Sequence, residues 1–461
     1  MIIRIPIIHD KETSCSHLKP DVSFLSRRSP QQVLVIGFAL LIVVGTLLLL
    51  LPISVAKGAE INFQDTLFIA TSAATVTGLV VVDVGQTFSL FGQAVLLVLI
   101  QAGGIGFMTM TTMFALFLGK RISFKERLVL KESLNFHNTE GVVRLIRKAL
   151  FYSLVIEAAG TLMLSVYWIS EMPFGQALYY GLFHTISIFN NCGFDLIGGF
   201  APYVGDLYFN IVSAVLIFLG SVGFIVLSDL FDLPKVRKLS LHSKVVLTFS
   251  GGLVVIGAVV IFIFEYTNGA STGTLGIGEK ALASFFQSVS LRSSGTSTLH
   301  IESLRQATQF FMVILMFIGA APGSTGGGIK VTTFAIMTAA FYTMIRGKED
   351  VDLFRSRISK ELVYKAITVM FVGLFIVVSA TIVLSFSENQ PFLTVLYETT
   401  SAFGTVGFSA GLTSQLTGFG KTVLILLMFA GRLGPFTIAL ALQSKAKKEL
   451  FRYPEGKIIL G

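Results

Sequence analysis

Long apolar runs alternate with short apolar stretches that end in glycine-containing turns, and the alternation recurs four times along the chain. The first copy opens with Gln31–Leu51, an uncharged run of spanning length, stopped by Pro52, whose ring cannot continue a helix. A shorter stretch, Ile61 to Ala74, leads into Thr75-Val76-Thr77-Gly78-Leu79, and a further apolar helix is predicted over about 88–118. In the second copy Ala149–Ile169 is followed by Ala177–Phe189, the turn Asn190-Asn191-Cys192-Gly193-Phe194 and a helix near 206–230. The third places a helix at 244–264 before Ala281–Leu291, the turn Arg292-Ser293-Ser294-Gly295-Thr296 and a stretch of nearly forty residues over 307–345. The fourth has 363–386, a short helix at 392–403, Gly404-Thr405-Val406-Gly407 and a last helix near 416–442.

The short stretch in the fourth copy decides how all four are read. About eleven helical residues cannot cross a hydrocarbon core, which takes about twenty. Backbone that leaves the helix at membrane depth survives only where protein or trapped water satisfies its polar groups. A re-entrant helix followed by an extended glycine loop therefore predicts a cation filter, in which main-chain carbonyls replace the ion's hydration shell. The key glycines, Gly78, Gly193, Gly295 and Gly407, lie 115, 102 and 112 residues apart, room for two spans and a hairpin each. The predicted fold is an all-α integral membrane protein with four tandem helix–pore loop–helix repeats arranged pseudo-fourfold around one pore. Its segments are a cytoplasmic N-terminal arm (1–30), repeat 1 (31–119), a basic amphipathic cytoplasmic segment (120–148), repeat 2 (149–231), repeat 3 (232–345), a cytoplasmic linker (346–362), repeat 4 (363–442) and a cytoplasmic tail (443–461).

Composition excludes a soluble domain: 53% of residues are hydrophobic, 13% are charged and mean hydropathy is +0.79. The length of 461 residues has room for about eight full spans. A formal charge of +9 could point to nucleic acid, but 28 of the 35 Lys and Arg fall in the arm, 119–148, 231–244, 346–365 and the tail. Segments with the glycine loops hold five, and 171–207 holds none, so the excess is topological and predicts both termini in the cytoplasm. Cys15 and Cys192 stand on different segments without metal-ligand spacing.

Several positions inside this frame bear on chemistry. The third inner helix contains Gly319-Ala320-Ala321-Pro322-Gly323-Ser324-Thr325-Gly326-Gly327-Gly328, where five glycines and a proline penalise a helix heavily. It predicts an intramembrane gating loop below the filter; a phosphate-cradling loop is excluded, since Ile329 separates Gly328 from Lys330 and no strand precedes it. Arg432 in Phe429-Ala-Gly-Arg-Leu-Gly-Pro435 is costly at membrane depth and is predicted to meet carbonyls of that loop and set a positive barrier in the pore. Gln101-Ala-Gly-Gly-Ile-Gly-Phe107 allows either close helix packing or a bend. The basic stretch 120–148 is an interfacial helix, a docking face for a cytosolic subunit, or both. Asp83 and Asp195, just past two of the glycines, either raise the cation concentration at the outer mouth or are solvated loop acids. Glu398 and His184 are proton-relay or ion-coupling groups, or structural groups bonding the backs of the loops, and Arg292 either tunes the third loop or anchors it.

Assembled, these residues resemble the Ktr-type membrane subunit of the Trk/Ktr/HKT superfamily of potassium transporters. The resemblance covers about 30–461 and rests on Thr77-Gly78-Leu79 with Asp83, Phe-Asn-Asn-Cys-Gly-Phe-Asp195, Ser-Ala-Phe-Gly-Thr-Val-Gly407, the 319–328 stretch, Arg432, and the tail Tyr453-Pro-Glu-Gly-Lys-Ile-Ile-Leu-Gly461. It implies that Gly78, Gly193, Gly295 and Gly407 are the four filter glycines and that 319–328 is the gating loop. It implies a plasma-membrane homodimer, each protomer with its own pore, on a cytosolic ring of regulatory subunits that bind nucleotide, with K⁺ as cargo and Na⁺ as an activator in many members. No cofactor is expected in this chain. Thr296 stands where the family commonly has an aromatic, so the third wall is expected to be less rigidly supported. The competing reading is a symporter that couples K⁺ to Na⁺ or H⁺ at broken helices. An enzyme is not expected: no paired-aspartate motif lies in the spans and no His-Glu-x-x-His zinc motif is present.

Overall fold

The computed structural model describes residues 29–106, 109–110, 124–133, 141–434 and 437. Residues 1–28 of the N-terminal arm, residues 120–123 and 134–140 of the basic stretch, the tail and the far ends of the first and last inner helices lie outside these residues, as do Cys15 and Pro435. Four helices are long and apolar enough to cross a membrane: Pro30–Leu49, Val142–Trp168, Leu241–Glu265 and Lys360–Ser387. The first starts where local chemistry directs, with the Ser29 hydroxyl accepting the Gln32 N–H and Pro30 at the first helical position. Val142–Trp168 starts within the stretch expected to be cytoplasmic, so residues 142–148 belong to this outer helix.

Each long helix is followed by a short one, Phe63–Ala74, Phe174–Phe189, Ile277–Ser290 and Phe392–Gly404, of 12, 16, 14 and 13 residues. After an extended loop the chain returns as Leu90–Ile105, Leu207–Ser221, Gln306–Phe317 and Gly418–Leu433. These inner helices correct one expectation. The sequence predicts a break in the third and leaves a bend open in the first, yet all four are interrupted. Gly106, Gly223 and Gly434 end the other three with φ of 94°, 89° and 82° and ψ of 127°, 150° and 137°, torsions open essentially to glycine alone. The expected single helix over 206–230 is instead Leu207–Ser221 and Phe224–Leu233, turned by 106°. Among the described residues there are thus four full spans, or five if that bent pair counts as one, where the length had room for eight.

Gln101–Gly106 serves both purposes left open by its sequence. A Cβ on Gly103 would collide with the Ala74 carbonyl and one on Gly104 with the Asn190 side chain, while Gly106 ends the helix. Gly220 and Gly431 seat against the Phe189 and Phe403 carbonyls in the same way. The absence of side chains there brings the first, second and fourth inner helices onto the ends of their own re-entrant helices.

Between units the packing is cyclic. Leu90–Ile105 lies on Phe174–Phe189, Leu207–Ser221 on Ile277–Ser290, Gln306–Phe317 on Phe392–Gly404, and Gly418–Leu433 returns to Phe63–Ala74. The return contact is fastened by an ion pair, Lys421 Nζ to Asp65 Oδ1 at 2.6 Å, with both side chains about 15% exposed, and by Gln64 Nε2 donating to the Gly418 carbonyl. Shielding from water makes this pair stronger than a surface one. A double-mutant cycle with Asp65→Asn and Lys421→Met, read by thermal unfolding in detergent, is expected to return a coupling of about 1–2 kcal/mol; additive effects would show that the contact does not hold the ends together. One element was not foreseen: within the linker, Val351–Leu353 pairs antiparallel with Ser356–Ile358 through a Phe354-Arg355 turn in which both φ are positive.

Candidate functional site

The four glycine loops share one backbone conformation. Thr75 and Asn190, closing their helices, have φ of −85° and −75°; the next residues, Val76 and Asn191, have φ of +56° and +60°. Ser293 and Thr405 occupy the corresponding places with φ of +98° and +49°. Gly78, Gly193, Gly295 and Gly407 follow two residues later with φ of +86°, +79°, +67° and +92°. Left-handed torsions are costly for β-branched Val76 and Thr405, so the surroundings must over-determine them. Alternation of hand along the strand rotates successive peptide planes so that carbonyls can share a side.

The loops meet one another in a closed order. A Cβ on Gly78 would collide with the Cys192 carbonyl, one on Gly193 with that of Ser294, one on Gly295 would come within 2.6 Å of that of Val406, and one on Gly407 would collide with that of Thr77. The carbonyl before each glycine therefore points at the glycine of the adjacent loop, and Thr77, Cys192, Ser294 and Val406 contribute a ring of four main-chain oxygens. All four of these residues are buried. Carbonyl oxygens brought together from four loops offer the negative ends of their dipoles, an arrangement suited to a dehydrated monovalent cation. A cavity of about 500 Å³ opens beside it, lined by Gly295, Gly407, Phe408 and Ser409, with His300 and Glu302 at the rim.

On the other side lies the stretch 319–328, and it touches the second, third and fourth loops. Gly319 N–H bonds the Ile329 carbonyl at 2.8 Å, pinching the loop's ends together. Ala321 N–H donates to Ser221 O at 3.0 Å, Phe224 N–H to Gly323 O at 2.9 Å, and Pro322 O lies against Gly223, which ties the loop to the break in the second inner helix. Ser324 Oγ folds back on the Ala321 carbonyl at 2.6 Å. Thr325 is hydrogen-bonded to Asn191 of the second loop at 2.7 Å, and Gly327 N–H to Thr405 Oγ1 of the fourth at 2.8 Å. Gly326 abuts Ser293 of the third, whose hydroxyl donates to the Thr405 carbonyl at 2.9 Å. Gly328 N–H reaches Gly431 O at 3.3 Å, and Ala320 O receives Val331 N–H at 3.2 Å. Glycines at 326–328 let the backbone come this close.

Two cations hold the stretch from below. Arg432 Nη1 donates to the Thr325 carbonyl, and its Nη2 to the Gly103 and Gly104 carbonyls of the first inner helix. Lys330 Nζ donates to the Gly326 carbonyl at 2.6 Å. Neither forms an ion pair among the described residues. Arg292, 4% exposed, bonds Gly319 O at 3.0 Å through Nη2 and reaches Ser250, so it links the third loop to the 319–328 stretch and an outer helix.

His184 and Glu398 both stand nine residues before a loop glycine, and both bond the chain beyond it. His184 Nδ1 is 2.7 Å from the Tyr180 carbonyl and its Nε2 accepts the Leu196 N–H at 3.2 Å. Glu398 accepts the Ser409 hydroxyl, the Ala410 and Leu412 N–H groups and the Thr413 hydroxyl. Both are fully enclosed. Asp83 caps a short turn through Gln86 N–H at 3.0 Å; Asp195 accepts Ile197 and Gly199 N–H at 3.1 and 2.8 Å. Thr296 is buried, with its carbonyl accepting the Ser290 hydroxyl and its own hydroxyl 3.0 Å from Ser294 Oγ, so a polar lattice occupies the place of an aromatic. Sequence reasoning missed Glu157, a buried acid within an apolar helix that bonds Gln101 and Asn190. The signal was one carboxylate inside an uncharged run.

Comparison with known proteins agrees with this geometry. The family model described as TrkH, cation transport protein, matches residues 7–452. The chain is 42% identical over 436 residues to Ktr system potassium uptake protein B of Bacillus subtilis, covering 94% of this chain and 97% of that protein. It is 37% identical to potassium/sodium uptake protein NtpJ of Enterococcus hirae, covering 94% and 98% of the two. The crystal structure of the potassium transporter TrkH from Vibrio parahaemolyticus superposes with a TM-score of 0.72 at 18% identity, over 90% of this chain and 84% of that one, a likeness of fold.

Proposed function

The chain belongs to the TrkH family of cation transport proteins and is a multi-pass membrane protein, and from that premise we propose that it carries K⁺ into the cell through a single pore lined by the four glycine loops. The observation that carries the reading is the cyclic contact of the Thr77, Cys192, Ser294 and Val406 carbonyls with the glycine of the preceding loop in the ring. Four equivalent walls at one level favour a pseudo-fourfold pore over a symporter with one midplane site between two halves. The inward-negative membrane potential, about 2.3 kcal/mol per charge per 100 mV, drives uptake without an ATPase. The stretch 319–328 closes the route toward the cytoplasm, and Arg432 adds a positive barrier there.

The names of the relatives support two further parts of the proposal. The name Ktr system potassium uptake protein B is that of one component of a system, which supports partner subunits. The resemblance to Ktr-type subunits extends the proposal to a homodimer on a cytosolic nucleotide-binding ring that controls the loop. The potassium/sodium relative supports Na⁺ as a second cargo or an activator. The charge distribution supports cytoplasmic termini.

Uptake of ⁸⁶Rb⁺ by the purified chain in liposomes tests the pore. Gly407→Ser, which pushes atoms into the Thr77 carbonyl, is expected to remove uptake. Equal uptake by wild type and variant would remove the ring from the function. Current reversing at the Rb⁺ equilibrium potential at every Na⁺ concentration is expected of a pore; reversal that moves with the Na⁺ gradient would mean a symporter.

A further inference from the structure

Glu157 lies midway along Val142–Trp168 and is 6% exposed. Both its oxygens accept Gln101 Nε2 at 2.9 Å, and one accepts Asn190 Nδ2 at 3.2 Å. Asn190 Nδ2 also donates to Gln101 Oε1 at 2.8 Å, which closes a triangle across the first inner helix, the second outer helix and the second loop. Among the described residues Glu157 has no ion pair. A buried acid in a membrane span is expensive, and here both its oxygens serve only as acceptors, the pattern of a carboxylate.

The register of the loops indicates what that charge acts on. Asn190 stands three residues before Gly193, and the same place before Gly295 holds Arg292. The second loop is thus backed by a carboxylate and the third by a guanidinium, with Arg432 and Lys330 adding positive charge beneath. Glu398 differs, because hydroxyls and N–H groups of residues 409–413 already surround it. We propose that Glu157, held by Gln101 and Asn190, is a specificity-determining residue whose negative charge strengthens cation binding at the carbonyl ring against the positive groups around it. The proposal rests on the pore reading above.

The test measures ⁸⁶Rb⁺ uptake against Rb⁺ concentration for the full chain in liposomes. Glu157→Gln keeps the shape and one acceptor oxygen for Gln101 and Asn190 but removes the charge and the second acceptor. It is expected to raise the half-saturating Rb⁺ concentration about tenfold while the maximal rate stays within about threefold, the signature of one lost charge acting from a neighbouring side chain. A purely structural role would lower yield or thermal stability and leave half-saturation alone. Half-saturation within about twofold of wild type, with Gly407→Ser inactive, overturns the proposal and leaves the pore standing. Absent wild-type uptake, or equal uptake by Gly407→Ser, overturns the pore reading and this proposal with it. Should Glu157→Gln not fold, Glu157→Asp decides: retained charge predicts half-saturation within about threefold of wild type, and a tenfold loss in folded protein overturns the charge role. Failure of both variants to fold assigns Glu157 to the fold alone and overturns it too.

Discussion

Alanine at Gly78 is expected to cut ⁸⁶Rb⁺ uptake in liposomes by roughly a hundredfold, the rate equivalent of about 3 kcal/mol. Two terms add. Gly78 has φ of +86°, where an L side chain costs about 1–2 kcal/mol. Its new methyl group would overlap the Cys192 carbonyl, and that oxygen belongs to the ring proposed to replace water around the ion. Moving it by a fraction of an ångström weakens coordination of a dehydrated cation without unfolding the surrounding helices. Gly251→Ala is the control: it lies in an outer helix and a Cβ there meets nothing within 4 Å, so uptake should be unchanged. Wild-type uptake in Gly78→Ala would mean that the Cys192 carbonyl does not contact the ion.

Arg432→Gln is expected to act in the opposite direction, raising uptake by the isolated chain about tenfold, the effect of shifting the loop's closed-to-open balance by about 1.4 kcal/mol. The guanidinium donates at once to Thr325 on the 319–328 stretch and to Gly103 and Gly104 on the first inner helix. Charge-assisted bonds of this kind are each worth about 1.5–3 kcal/mol. Glutamine is shorter, uncharged and cannot span both partners. Lys330 still bonds Gly326, so the loop is loosened rather than lost, and assembly should survive. Unchanged or lower uptake by well-folded Arg432→Gln would show that the arginine does not keep the loop closed.

Much of this arrangement is legible in one dimension because hydropathy and glycine carry it. The re-entrant helices were placed within a few residues: Phe392–Gly404 against an expected 392–403, and Phe174–Phe189 against Ala177–Phe189. Lipid forces short apolar helices and irregular turns into a recognisable order. The Gly-x-x-Gly pairs at 103–106, 220–223 and 431–434 are equally visible, but the sequence suggests a bend only at the first, and there beside packing, since two glycines in an apolar helix can serve either. Their torsions show that the first of each pair packs and the second bends. The left-handed residues Val76, Asn191, Ser293 and Thr405 share no side-chain chemistry, so nothing in their identity announces the conformation they share.

By itself the sequence determined a membrane protein with four re-entrant glycine loops, basic segments alternating with nearly uncharged ones and one heavily disrupted inner helix, because those properties depend on local composition and on the solvent each segment meets. Only the tertiary structure decided that the carbonyl before each glycine reaches the preceding loop in the ring, that Lys421 and Asp65 close the fourth unit onto the first, and that Glu157 finds Gln101 and Asn190. The physical reason is separation. Asp65 and Lys421 stand 356 residues apart, and hydrogen bonds and ion pairs act over a few ångströms, so their partners exist only once the chain has folded into a ring.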